Sequence, residues 1–286
     1  MTTYSLATFV SPEIKDLVVA NGYAFGMSGC TEESAPDGVN MIFYYTTLAA
    51  ARAAEQDVLL RFPAVQTAIA EIADQDWNAQ WKASMRPALV APGMWVSPGW
   101  LAPPLAAGDH WITIEPKTAF GTGHHATTRL AAGGLTSLRG KLPSGFSLLD
   151  IGTGTGVLCF VAQHYGAGLT IGIDNDPVCA GNLAENRSNN PFSQPAGFAI
   201  GALAMLRSGA SFDCAVMNML QIESQPLLGD VFRLLKFSGR LIWSGILIEE
   251  KNNSIADAFQ KGFTLYEETT EEEWWCGSFV KNPIER

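Results

Sequence analysis

The sequence predicts an α/β protein whose main domain is a doubly wound, Rossmann-like sheet, preceded by a small α+β domain. Strand and helix patterns alternate over the second half of the chain, where an apolar strand runs into a glycine-rich turn. A segment rich in Trp, Pro and Gly separates this half from the first. The 286 residues therefore divide into an α+β domain (residues 1–73), a linker helix with an aromatic hairpin (74–104) and the main domain (105–286).

The first domain is predicted to open with a strand and a helix. Residues 4–10 form an apolar stretch of strand length. Ser11 can cap a helix whose first residue is Pro12, because proline lacks an N–H that the first helical turn would leave unpaired. Gly22 is expected to end this helix.

Two strands and a second helix are expected next. Residues 24–30 and 39–46 are short strand candidates, separated by the turn-forming residues 34–38. The alanine-rich residues 48–62 predict a helix that ends before Pro63. This order favours a ferredoxin-like module, and it contains no catalytic motif.

The linker segment is recognised by its composition. From about residue 69 the chain becomes rich in Trp, Pro and Gly, which disfavour a long regular element. We interpret the stretch through Trp81 as helical and the following residues, up to Pro104, as an aromatic β-hairpin.

The main domain is predicted from alternating strands and helices. Strands are expected at residues 147–151, 169–173, 212–218 and 239–246, and helices at 157–165, 177–189, 223–235 and 249–261. Residues 263–270 and 274–280 look like a closing antiparallel hairpin. In a doubly wound sheet the ligand sits at the carboxyl ends of the parallel strands, so we expect the functional residues there.

Charge and composition limit the class of partner. The chain carries 18 basic and 28 acidic residues, a net charge of −10, which repels phosphate backbones and favours a basic protein partner over nucleic acid. The five scattered cysteines contain no Cys-x-x-Cys pair, and no apolar run reaches membrane-spanning length. We therefore expect a cytoplasmic protein with reduced thiols and no membrane partner.

The glycine-rich turn is the first motif that indicates a cofactor. It reads Gly152-Thr-Gly154-Thr-Gly156 and follows Asp150 at the end of an apolar strand. A dinucleotide fingerprint would place a further glycine at position 157, where this chain has Val157. The shorter spacing favours S-adenosylmethionine, which has no pyrophosphate to bind.

An acidic residue and two histidines also require interpretation. Asp174 ends the strand that follows the glycine turn, where a carboxylate can accept hydrogen bonds from vicinal ribose hydroxyls. His124 and His125 are adjacent, but no paired carboxylate at ligand spacing accompanies them, so we predict no metal site. One histidine is expected to line the cofactor pocket.

Several further segments carry a resemblance to a known family. They are Ala-Phe-Gly-Thr-Gly-x-His-x-Thr-Thr at residues 119–128, Asn-x-Leu at Asn218, Ser-Gly-Ile-Leu from Ser244, Glu273-Trp274, Asp76-Trp77 with Trp81, and Trp95-x-x-Pro98-x-Trp100. With the Asp-x-Gly-x-Gly-x-Gly turn, these segments resemble the bacterial methyltransferase family that modifies large-subunit ribosomal protein eleven. The similarity spans most of the chain after residue 75.

The resemblance implies a function and a set of site residues. The implied cofactor-binding residues are Phe120, Thr128, Gly152, Gly154, Asp174 and Asn218. It implies methylation of lysine side-chain and N-terminal amines of a ribosomal protein that the N-terminal domain recognises. Asn218 is the expected catalytic residue, because its amide oxygen can anchor a neutral amine at the carboxyl edge of the sheet.

Some positions depart from the family's pattern and keep other functions open. Glu115 stands where the family has Asp, and Lys117 where it has Gly. Residues 219–223 read Met-Leu-Gln-Ile-Glu, where the family prefers small residues and a leucine-rich continuation. A different acceptor, as in the electron-transfer-flavoprotein lysine methyltransferases, is therefore one alternative. A nicotinamide-dependent oxidoreductase and a non-catalytic binding protein are two others.

Overall fold

The computed structural model describes residues 2–72, 77–206 and 212–282 and divides the chain into two compact units, Met1–Met85 and Arg86–Arg286. Asp76, which contributes to the resemblance, lies outside the described residues, as does the side chain of Trp77. The segment interpreted as a linker is shared between the units, since its helix belongs to the first and its hairpin to the second. No helix in the described ranges is long and apolar enough to cross a membrane.

The first unit is a four-stranded antiparallel sheet with two helices and a further short helix. Its elements are β1 (Thr3–Val10), α1 (Lys15–Ala24), β2 (Gly29–Ala35), β3 (Gly38–Tyr45), α2 (Leu48–Arg61), β4 (Gln66–Ile72) and α3 (Trp77–Ser84). The strand order is β2-β3-β1-β4, and the β-α-β-β-α-β sequence of elements is that of ferredoxin-like modules. Alternate strand residues, among them Leu6, Met41 and Phe43, are buried against α1 and α2.

The predicted boundaries of α1 are wrong at both ends. Ser11 does not cap the helix; its carbonyl accepts the N–H of Ile14 in a preceding turn, and the helix begins at Lys15. Gly22 does not end the helix, which continues to Ala24. A Cβ at Gly22 would lie 2.7 Å from the sulfur of Met27, so glycine at this position allows close packing. The chain leaves the helix at Gly26, whose φ is +75°.

The strands that follow also differ from the prediction. β2 lies five residues later than expected, because its polar sequence forms an exposed edge strand that carries little hydrophobic signal. β4 was not predicted at all, since three of its seven residues are polar and two are alanines. It pairs with β1 and completes the sheet.

The described residues of the second unit form ten strands, and seven of these strands make up one mixed sheet. The unit's strands are β5 (Ala88–Ala91), β6 (Met94–Ser97), β7 (His110–Thr113), β8 (Ser147–Ile151), β9 (Leu169–Asp174), β10 (Gly197–Ile200), β11 (Phe212–Asn218), β12 (Leu235–Leu247), β13 (Phe263–Glu271) and β14 (Trp274–Lys281). Its helices are α4 (Ala126–Ser137), α5 (Val157–His164), α6 (Cys179–Asn189), α7 (Gln221–Ser224), α8 (Leu228–Leu234) and α9 (Lys251–Gln260).

The large sheet confirms the predicted doubly wound α/β fold with a closing hairpin. Its order is β10-β9-β8-β11-β12-β14-β13, with five parallel strands and the β13–β14 hairpin added antiparallel at one edge. Consecutive residues of β8 alternate between two cores: Leu148 packs with α4 and α5, and Leu149 packs with α8. Helices therefore cover both faces, and the expected ligand-binding edge is the one where the parallel strands end.

Several local boundaries in the second unit were predicted wrongly. α6 begins at Cys179 rather than at Pro177. The helix expected over residues 223–235 is broken into α7, a short 3-10 turn and α8, because Pro226 cannot donate a backbone hydrogen bond. β7 and β10, each four residues long, had too little pattern to be recognised. The expected aromatic hairpin is β5–β6, which β7 extends in parallel to a separate three-stranded sheet.

Candidate cofactor and acceptor site

The glycine turn joins β8 to α5 at the carboxyl edge of the sheet. Gly152, Gly154 and Gly156 all have positive φ, between +54° and +83°, which side chains other than glycine rarely adopt. A Cβ at Gly152 would lie 2.6 Å from the sulfur of Met219, and one at Gly154 would collide with the carbonyl oxygen of Phe120. The backbone of the turn is thus in close contact with two other segments.

The segment from Ala119 to Gly123 is held against this turn by hydrogen bonds. The N–H of Thr155 donates to the carbonyl oxygen of Phe120 at 3.0 Å, and the Thr155 hydroxyl donates to that of Gly121 at 2.7 Å. The side chain of Phe120 is left 54% exposed and lines a cavity. Two segments with the strongest sequence signals therefore form one wall of that cavity.

The cavity has a volume of about 530 Å³, within the range of small-molecule sites. Its lining residues are Thr118, Ala119, Phe120, His125, Thr127, Gly152, Gly154, Asp174, Asn175, Asp176, Cys179, Asn218, Met219, Leu220, Glu223, Gly245 and Trp274. Five of the six predicted cofactor-binding residues are among them. Thr128 is not, and lies buried behind Asn218.

Asp174 ends β9 with its carboxylate fixed by the backbone. Its Oδ2 accepts the N–H of Gly154 at 2.8 Å, and its Oδ1 accepts the N–H of Asp176 at 3.0 Å. Each oxygen has a second lone pair for a hydroxyl donor. The carboxylate is thus oriented before any ligand binds, as the predicted contact with ribose hydroxyls requires.

Asp150 lies beneath the turn and does not line the cavity. Its Oδ2 accepts the hydroxyl of Thr153 at 2.6 Å, and Cys159 is a weaker donor at 3.7 Å. Complete burial raises the pKa of the Asp150 carboxyl from its ordinary value to about 7. This residue therefore supports the turn from outside the cavity lining.

Asn218 ends β11 with one side of its amide unpaired. Its Nδ2 is 3.5 Å from the hydroxyl oxygen of Thr128, a long hydrogen bond. Its Oδ1 is buried and has no hydrogen-bond partner within the described residues. A buried acceptor without a donor is unfavourable, so this oxygen, on a residue that lines the cavity, is a candidate acceptor for an N–H or O–H group of a ligand.

The remaining walls include residues that the sequence-based prediction did not assign to the cofactor site, among them Gly245 and Trp274. Gly245 contacts Met219 so closely that a Cβ would lie 2.5 Å from the Met219 carbonyl oxygen. The sequence places Gly245 in the Ser-Gly-Ile-Leu segment, but it does not show that this glycine contacts Met219 at the end of β11. The prediction that one histidine lines the pocket is met by His125, whose ring stands edge-on between Phe120 (5.4 Å) and Trp274 (5.2 Å). His124 instead donates from Nε2 to the carbonyl of Arg86 at 2.7 Å.

The electrostatic character of the cavity suits a positively charged ligand. Three carboxylates line it, Asp174, Asp176 and Glu223, and none of the described lining residues is Lys or Arg. The described part of the chain holds no group of three His, Cys, Asp or Glu residues that could bind a metal ion. Together with the close glycine turn and the unpaired Asn218 oxygen, this lining fits S-adenosylmethionine, whose sulfonium is cationic.

Comparisons with known proteins place these features in a family. The family described as "Ribosomal protein L11 methyltransferase (PrmA)" matches residues 11–282. A ribosomal protein L11 methyltransferase of Myxococcus xanthus is 31% identical over 242 residues, covering 84% of this chain and 81% of the relative. That of Deinococcus radiodurans is 36% identical over 216 residues, covering 73% and 77%.

A solved structure supports the same fold. The ribosomal protein L11 methylase of Lactobacillus delbrueckii subsp. bulgaricus superposes with a TM-score of 0.63 at 21% identity, covering 70% of this chain and all of that one. The match to the family over nearly the whole chain and the two relatives above confirm the resemblance and the cofactor inferred from the sequence. The chain is thus an S-adenosylmethionine-dependent protein methyltransferase, and it belongs to the ribosomal protein L11 methyltransferase family.

Proposed function

We propose that this enzyme methylates lysine side-chain and N-terminal amines of large-subunit ribosomal protein L11, a basic protein of the cytoplasm. The family and the names of the relatives support the acceptor protein. The observation that carries the amine specificity is the buried Oδ1 of Asn218, an acceptor without a partner at the cavity wall. A neutral amine presents N–H groups that satisfy it.

The chain's own residues have separable roles in this proposal. Gly152 and Gly154 allow close approach of the turn to the cofactor, Asp174 accepts its ribose hydroxyls, and Phe120 flanks it. When bound, S-adenosylmethionine supplies a methyl group that is attached to a positively charged sulfur. On methyl transfer this sulfur becomes a neutral thioether, which is the leaving group.

Asn218 would act on the acceptor amine. Its Oδ1 accepts one N–H and so directs the nitrogen lone pair toward the methyl group. A carboxylate at this position would favour the protonated amine, which has no lone pair for attack. An amide oxygen accepts the same N–H without the negative charge that would favour the protonated amine.

The acceptor is tested by direct labelling. The purified enzyme, methyl-labelled S-adenosylmethionine and the purified L11 protein of the same organism should give labelled L11, with the methyl groups located on amines by mass spectrometry. Unlabelled L11 with a working enzyme would contradict the proposal.

A different acceptor protein is the second candidate, because Met219 and Glu223, which line the cavity, depart from the family's pattern. Electron-transfer flavoprotein is one such acceptor. Labelling of a whole lysate followed by identification of the methylated protein separates the two candidates, since only one of the two proteins should carry the label.

A further inference from the structure

Helix α6 and the residue that follows it carry three buried asparagines at intervals of four residues, Asn182, Asn186 and Asn190. This spacing places them on one face of the helix. They are 3%, 0% and 6% exposed, so each amide has lost its contacts with water. Buried amides need hydrogen-bond partners. Apart from one bond from Asn190 Nδ2 to the carbonyl oxygen of Asn186 at 2.7 Å, the partners found for these three lie outside the helix.

All three side chains bond to the backbone that leads from β7 toward Phe120. Asn190 makes a two-way contact with Thr113, accepting its N–H at 3.0 Å and donating to its carbonyl oxygen at 2.8 Å. Asn182 donates to the carbonyl oxygen of Glu115 at 3.0 Å. Asn186 accepts the N–H of Glu115 at 3.0 Å.

Asn186 differs from the other two because it also reaches the glycine turn. Its Nδ2 donates to the carbonyl oxygen of Thr155 at 3.0 Å. Thr155 in turn donates from its N–H and its hydroxyl to the carbonyls of Phe120 and Gly121. Asn186 is therefore part of a closed ring of contacts that joins the two segments forming the cofactor wall.

The segment needs such support because it has little structure of its own. Residues 114–125, between β7 and α4, form no helix or strand. Gly121 and Gly123 have φ of +109° and +88°. Because glycine has no side chain, these two positions leave the unsupported segment a wider range of backbone conformations. The apolar cluster of Ala119 with Cys179 and Leu183 of α6 is the nonpolar part of the same attachment.

We propose that Asn186 is a positioning residue for the cofactor, holding the Phe120 segment and the glycine turn at a fixed separation without lining the cavity itself. The inference rests on the cofactor site assigned above. If folding already fixes this wall of the cavity, binding does not have to pay the entropy cost of ordering it. The Asn186 contacts therefore raise the affinity for the cofactor by preorganisation. Outside the helix, Asn182 and Asn190 bond only to the backbone of Glu115 and Thr113, which precede the Phe120 segment.

The experiment compares Asn186→Ala with Asn190→Ala in the full-length enzyme. Both variants lose a buried asparagine that makes two backbone hydrogen bonds outside α6. Asn190 also donates to the carbonyl oxygen of Asn186, so Asn190→Ala should lower the melting temperature at least as much as Asn186→Ala. Only Asn186→Ala should raise the Kd for S-adenosylmethionine, by about tenfold, in isothermal titration. It should also speed hydrogen exchange of the amides in residues 118–123.

An unchanged Kd in folded Asn186→Ala, or an equal rise in both variants, would overturn the inference. If Asn186→Ala does not fold, Thr155→Val replaces it, because it removes the donor to Gly121 on the other side of the ring at almost constant volume. An unchanged Kd for S-adenosylmethionine in folded Thr155→Val would also overturn the inference. Because the readout is cofactor affinity, failure of the L11 proposal would leave this result interpretable, whereas a wild-type enzyme that does not bind S-adenosylmethionine would refute the cofactor site itself.

Discussion

Asp174 and Asn218 lie at the ends of two parallel strands on either side of β8, but their side chains are held differently. Both oxygens of Asp174 already accept a backbone N–H, so its carboxylate is fixed and retains capacity for further donors. Among the described residues, the Asn218 side chain makes one long contact, to Thr128, and its oxygen has no donor. This difference matches a fixed cofactor contact at Asp174 and an acceptor contact at Asn218 that only the second substrate completes.

Replacing Asp174 tests the cofactor contact. Asp174→Ala should weaken S-adenosylmethionine binding by about 1–3 kcal/mol in calorimetry, because charge-assisted hydrogen bonds to the ligand are lost. Asp174→Asn is the matched control: it keeps an oxygen for the Gly154 N–H and should lose less affinity. A folded Asp174→Ala enzyme with wild-type affinity would remove this residue from the site.

Replacing Asn218 tests the alignment of the amine. Asn218→Ala should retain most of its cofactor affinity but lower the methylation rate at saturating substrates by about a hundredfold, the size expected for lost orientation. Asn175→Ala provides a control, since Asn175 is another amide of the cavity lining, adjacent to Asp174. Near-normal turnover of folded Asn218→Ala, or an equal loss in both variants, would contradict the proposed role.

At the scale of elements, the parts of the site that could be predicted are those in which one short segment contains the whole signal. The turn after β8 and the acidic end of β9 belong to this class, because strand, turn and carboxylate follow one another in the chain. Trp274 and Gly245 were missed as lining residues, since their place depends on how β12 and β14 add to the sheet. Local pattern carries no such long-range information.

The same reasoning explains the errors in the fold. Central apolar strands such as β8 and β11 were located within a residue, because burial on both faces dictates their composition. Edge strands such as β2 and β10 are polar or short, and pairing with a neighbour determines them more than their own sequence does. The asparagines of α6 gave no signal either, because their partners are backbone atoms about thirty to eighty residues away.

The buried carboxyl beneath the glycine turn makes stability depend on pH. Burial raises the pKa of Asp150 from 3.8 to about 7, so the native protein keeps a proton that the unfolded chain has lost between these values. The unfolding free energy therefore falls as pH rises through this window, by at most about 1.4 kcal/mol per pH unit from this one group.

Asp150→Asn isolates that contribution, because the amide cannot titrate. Urea unfolding of both proteins at several pH values across the window should show the variant gaining stability relative to the wild type as pH rises. Other titrating groups are common to both proteins and cancel in the difference. Parallel pH profiles would show that Asp150 is ionised in the native state throughout.

At the scale of the whole molecule, negative charge is the feature most relevant to an acceptor protein. Residues 1–73 contain three basic and eight acidic residues, a net charge of −5, half of the −10 carried by the full chain. Exposed charges of one sign speed the encounter with an oppositely charged protein, and salt weakens this effect within a Debye length of about 8 Å at physiological ionic strength. The acidic N-terminal region therefore suits a basic ribosomal protein.

Charge reversal in the intact enzyme tests whether this region recognises the acceptor. Glu33 and Asp37 are exposed in the first unit, and Glu249 and Glu267 are exposed in the second, outside the cavity lining. Glu33→Lys/Asp37→Lys should raise the KM for the protein acceptor by about threefold to tenfold at low salt and flatten its salt dependence. The cofactor Kd should stay constant. Glu249→Lys/Glu267→Lys changes the net charge by the same amount, so an equal rise in KM would show that total charge, and not a recognition surface on the first unit, attracts the acceptor.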